Sequence, residues 1–177
     1  VPDATGLELI AQDLRDAKSA GARATPDSPV LETVFFRGRG TLLVEPQSIR
    51  TVLAFLRERG YAFMSSLHGL DHYPEEPRLG VVYELLDMRR VDRITVKLRL
   101  PSDAPQVESV TPEWPTANHQ EREVYDMFGV VFEGHPDLRR ILMPEDYEGH
   151  PQRRDFPIGG EPVIFTYNEG DSTGVRR

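Results

Sequence analysis

"LGVVYELLDMRRVDRITVKLRL", residues 79–100, holds two β-rich runs separated by a short charged interval. In the second run Ile94, Val96, Leu98 and Leu100 alternate with polar residues, a period of two that gives a strand one apolar face. The first run is dense in Val, Leu and Tyr and predicts a second strand. Working toward the N-terminus, "YAFMSSLHGL" (61–70) reads as a third strand, and "VLETVFFRGRGTLLVEP" (30–46) as a hairpin with a Gly-bearing turn. Together these predict about five strands, mostly antiparallel.

Helical periodicity lies between and around them. Leu7, Ile10, Leu14 and Ala17 recur at helical spacing up to Gly21, with Thr5 and Glu8 at capping-box spacing, which predicts a helix over 6–20. Pro46, the shared face of Ile49, Leu53 and Leu56, and Gly60 predict another over 46–59. A third, over 114–128, has Pro115 in its first turn and Gly129 at its end. The predicted fold class is α+β: helices packed on one face of the sheet, then the 114–128 helix, then an extended C-terminal tail.

The 177 residues suit one domain with an extension, divided here as 1–132 and 133–177. A net charge of −8 disfavours nonspecific attraction to nucleic acid, and none is expected as a partner. There is no cysteine, which removes disulfides, thiolate iron–sulfur ligation and thiol nucleophiles together. With no apolar run near ~18 residues and no signal-peptide pattern at the first residues, the expectation is a soluble protein on the cytoplasmic side.

An acid/base site built from His119, Glu121, Glu123 and Asp126 meets a geometric objection. Residues two apart on a helix diverge, so Glu121 and Glu123 cannot converge on one atom. The i,i+4 pairs His119–Glu123 and Arg122–Asp126 suit a salt-bridged helix face instead. Glu121 shares a face with Tyr125 and Phe128; if buried it needs a partner, for which Arg139, Arg140, Arg153 and Arg154 are available. A metal module at His68, Asp71 and His72 lacks the usual ligand patterns. "GRG" at 38–40 sits between strands and opens no helix, so it is no dinucleotide loop. No catalytic, cofactor-binding or metal-binding residue is therefore expected.

From 133 onward periodicity stops. "EGHPDLRRILMPEDYEGHPQRRDF" (133–156) repeats Glu-Gly-His-Pro and mixes six acids with four arginines between 133 and 155. Leu138, Ile141, Leu142, Met143, Tyr147 and Phe156, followed by Ile158, Val163, Ile164 and Phe165, are more apolar anchors than a solvated linker needs. His135 and His150, each between Gly and Pro, suit bonds to backbone groups or to a partner. The ribbon reads as a recognition segment, disordered alone and ordered on a large partner.

At this point the sequence resembles a family: the 30-kilodalton subunit of bacterial NADH:quinone oxidoreductase, respiratory complex I. Its signature is matched by Glu121, Arg122, Glu123, Asp126, Met127, Phe128, His135, Arg139, Ile141 and Leu142, within a similarity spanning about 114–158. The resemblance implies a noncatalytic subunit of the peripheral arm, on the cytoplasmic face of the membrane. Its C-terminal segment would run over the large subunit that holds the quinone-reducing region, with neighbouring arm subunits nearby. FMN and iron–sulfur clusters would belong to other subunits, and NADH and quinone to the complex. The implied interface with those subunits takes in Glu121, Arg122, Glu123, Asp126, His135, Arg139, Arg140, His150, Arg153 and Arg154. Related complexes with other electron donors, and membrane-bound hydrogenases, carry similar subunits; a freestanding carboxylate enzyme is the remaining alternative.

Overall fold

Alternation in the strands and one apolar stripe per helix converge on a single core. In the computed structural model, which describes residues 3–20 and 29–157, a five-stranded sheet has the order β1-β2-β5-β4-β3. Its strands are β1 (Val30–Phe36), β2 (Arg39–Val44), β3 (Phe63–Asp71), β4 (Leu79–Asp87) and β5 (Asp92–Leu100). Only β2 and β5 pair in parallel; the other neighbours are antiparallel. Leu42, Val96, Tyr83 and Leu67 stand in register across four strands and are all buried, so one sheet face is the floor of the core. The anchors Ile158, Val163, Ile164 and Phe165 lie outside the described residues.

Helix α1 (Ala4–Ala20) packs Leu7, Ala11 and Leu14 onto that floor beside β1 and β2. Its first turn is capped by Asp3, whose Oδ1 accepts from Gly6 N at 2.6 Å, and not by Thr5. Glu8, expected in a capping box, bonds Thr33 and Arg15 instead. Helix α2 (Ile49–Glu58) follows a 3₁₀ turn at Pro46–Ser48 and buries Ile49, Val52, Leu53 and Leu56. In the β1–β2 hairpin, Arg37 and Gly38 both take positive φ (49° and 74°), the conformation whose twist matches paired strands.

Helix α3 (Ala117–Phe128) begins later than the expected 114, because residues 111–116 form turns, with Trp114 N bonding Val110 O. It lies on β3, so close that a Cβ at Gly69 would collide with the Phe128 ring. A further parallel pair, β6 (Gln106–Glu108) with β7 (Val131–Glu133), ties the segment before α3 to the segment after it.

Candidate functional site: the ribbon on the signature helix

An α-helix leaves its last four carbonyls without helical partners. At the end of α3, Tyr125 O accepts from Gly129 N (2.9 Å), while the other three are met by the ribbon. Asp126 O accepts from His150 Nδ1 (3.0 Å), Met127 O from Gln152 N (3.1 Å) and Phe128 O from Arg153 Nε (2.7 Å). A cation at this end also complements the helix dipole. Gly129, at φ +75°, allows the reversal, and a Cβ there would come within 2.5 Å of His150 Nε2. One face of residues 134–157 is thus the C-terminal cap of α3, where the sequence predicted a segment ordered only by a partner.

Asp126 is the anchor. Fully buried, it accepts from Arg140 Nη1 at 2.6 Å and from the consecutive N–H groups of Ile141, Leu142 and Met143 at 3.0, 2.8 and 2.9 Å. Burial alone would raise its pKa; the Met143 N–H, the Arg140 guanidinium and the other two N–H groups outweigh that and hold it below the ordinary carboxylate value. Arg140 reaches on to the carbonyls of Tyr147 (2.7 Å) and Gly149 (2.9 Å), fixing the loop 140–149 around one guanidinium.

The expected Arg122–Asp126 pair does not form: Arg122 donates to the carbonyls of Arg139 (3.1 Å) and Arg140 (2.9 Å), since Asp126 points inward to Arg140. His119 and Glu123 are both exposed and make no ion pair among the described residues. Glu121 is fully buried, but its partners are not arginines. Its carboxyl accepts from Ser109 Oγ (2.7 Å) and Val110 N (2.8 Å), joining α3 to the end of β6. Burial, against these two hydrogen bonds, pushes its pKa up to about 7. His135 Nδ1 accepts from Asp137 N (3.0 Å), which leaves Nε2 to donate to Asn118 O (3.1 Å), with Glu121 Oε2 4.0 Å away. Arg139 is exposed and paired with Asp137 at 2.8 Å.

A second clasp was not legible in the sequence. Arg78, buried before β4, forks onto Asp71 (2.8 and 2.7 Å) and onto Asp155 (both 2.6 Å), 77 residues further along the chain. Arg154 N donates to Asp71 Oδ2 at 2.7 Å, and its guanidinium reaches Tyr73 O at 3.3 Å. Only the lone Arg in "YPEEPR" hinted at it. Asp71, so engaged, is committed to the clasp, and His68 projects from the opposite side of β3. Among the described residues no cluster of three His, Cys, Asp or Glu side chains is placed to hold a metal.

The family model described as respiratory-chain NADH dehydrogenase, 30 Kd subunit, matches residues 42–162. The chain belongs to this family. The equivalent NADH-quinone oxidoreductase subunit of Roseiflexus sp. (strain RS-1) is 46% identical over 149 residues, covering 82% of this chain and 85% of that protein. Its counterpart in Roseiflexus castenholzii is 48% identical over the same length and coverage. Among solved structures, the trypsin-resistant fragment of Nqo5 is 32% identical with a TM-score of 0.57, covering 75% of this chain and 98% of its own. A chain of the membrane-bound sulfane sulfur reductase, an archaeal respiratory membrane complex, is 26% identical with a TM-score of 0.68, covering 98% of this chain and 94% of its own. The family match takes in the whole of α3 and the ribbon that caps it.

Proposed function

We propose that this chain is a noncatalytic structural subunit of the peripheral arm of an ion-translocating NADH:quinone oxidoreductase, held at the cytoplasmic face of the membrane. Residues 133–177 are its partner-binding segment, with the large quinone-reducing subunit as chief partner. FMN, iron–sulfur clusters, NADH and quinone belong to the other subunits. The observation that carries this reading is the family match across 42–162, which spans the capped α3. It is consistent with the geometry of the site, where Asp126, Arg140 and Arg153 are all engaged at the end of the chain's own helix. Among the described residues no helix is long and apolar enough to cross a membrane.

The test is deletion of the chain in its own cell. Assembled complex and NADH:quinone activity of the membranes are expected to disappear and to return with the plasmid-borne chain, while the isolated chain oxidises no NADH. Assembly without the chain, or NADH oxidation by it alone, would overturn the proposal. A second reading, a complex with a different electron donor, is favoured by the likeness to the sulfane sulfur reductase chain over 98% of this sequence. It predicts that the complex survives purification but reduces quinone with another donor.

A further inference from the structure

The charges of the ribbon, mixed along the sequence, are partly sorted in space, with Arg139 and Arg154 exposed and the other two arginines turned in. Arg140 and Arg153 turn inward onto α3, whereas all six acids between 133 and 155 are exposed. Asp137 is paired with Arg139 and Asp155 with Arg78. Glu133, Glu145, Asp146 and Glu148 form no ion pair among the described residues. The same sorting acts on the apolar side chains. Leu138 and Met143 pack on the core, while Ile141 and Leu142, 37% and 61% exposed, project from the turn whose three N–H groups bind Asp126. A single exposed leucine is ordinary. Here two adjacent apolar side chains stand on a loop immobilised from behind, with three unpaired carboxylates within six residues of Leu142.

We propose that the loop 141–148 is a docking knob whose occupant is a neighbouring subunit presenting an apolar socket for Leu142 and Ile141, rimmed by lysine or arginine side chains that face Glu145, Asp146 and Glu148. This rests on the subunit reading above and specifies the chemistry of its partner surface. A loop already fixed by Asp126 loses little conformational entropy on docking, and complementary rim charges speed and orient the encounter.

The test uses cells in which the tagged chain replaces the native one. Wild type is compared with Leu142→Asp, with Leu142→Ala, with the triple variant Glu145→Lys, Asp146→Lys, Glu148→Lys, and with a control carrying Glu58→Lys and Asp103→Lys, both exposed elsewhere. Melting temperatures are measured on the isolated chains. Recovery of the large quinone-reducing subunit from detergent-solubilised membranes is expected to fall about tenfold for Leu142→Asp and for the triple variant. Leu142→Ala should fall less, the control should match wild type, and the melting temperatures should be unchanged. Wild-type recovery by the triple variant and Leu142→Ala, or an equal loss in the control, overturns the knob while leaving the subunit reading intact. A wild-type chain that recovers no partner overturns both.

Discussion

Asp126 concentrates the energetics of the site, because four donors converge on one fully buried carboxylate. Removing a single partner from such a charge costs more than the pair contributes, since the desolvated ion stays behind. Arg140→Ala is therefore expected to lower unfolding stability by about 3 kcal/mol, read from urea titrations of the isolated chain. Glu121 behaves in the opposite sense. With its pKa pushed up to about 7 from an ordinary 4.5, the folded chain holds a proton that the unfolded chain has released across that window. Stability from this group thus falls as pH rises from 4.5 to about 7 and is level above. Glu121→Gln, able to accept from Val110 N and donate to Ser109 Oγ, should abolish that slope and be the more stable form at pH 8. In the sequence these residues showed as charged and closely spaced, and the helix face of Glu121 left both a buried and an exposed side chain open. Their partners did not show. Spacing along one helix favoured Arg122 for Asp126, whereas the fold supplies Arg140 and three N–H groups from a segment with no periodicity to place it.

The elements were largely visible because each carries its own period. Alternation gave β5, the Gly-bearing turn gave the β1–β2 hairpin, and Gly60 and Gly129 marked helix ends, both at positive φ. The β6–β7 pair escaped, since three residues are too few to show a period of two. The cap of α3 escaped for another reason: Gly129 announced where the helix stops, but not that His150, Gln152 and Arg153 return to its carbonyls. This joint has a prediction of its own. Gly129→Ala combines a left-handed φ with a collision at His150, and should destabilise by about 2 kcal/mol. Chemical denaturation would show it, and the loss should shrink when His150→Ala is added, because the two changes share one contact.

At the scale of the molecule, one sheet face and three helices make the core, and residues 134–157 are bound to it at two clasps, Asp126–Arg140 and Asp71–Arg78–Asp155. The sequence showed a ribbon rich in anchors and mixed in charge. It did not show that Arg140 and Arg153 turn inward while Glu145, Asp146 and Glu148 stay exposed, which depends on where α3 ends in space. The ribbon so arranged is two-sided: the inner side completes the fold, and the outer side carries the exposed Ile141, Leu142, Glu145, Asp146 and Glu148. Hydrogen exchange at the amides of Ile141, Leu142 and Met143 in the isolated chain tests this most directly. Their bonds to buried Asp126 predict protection approaching that of the core strand β4 before any partner is added. Exchange at unprotected rates in the isolated chain, with protection arising only in the assembled complex, would contradict it.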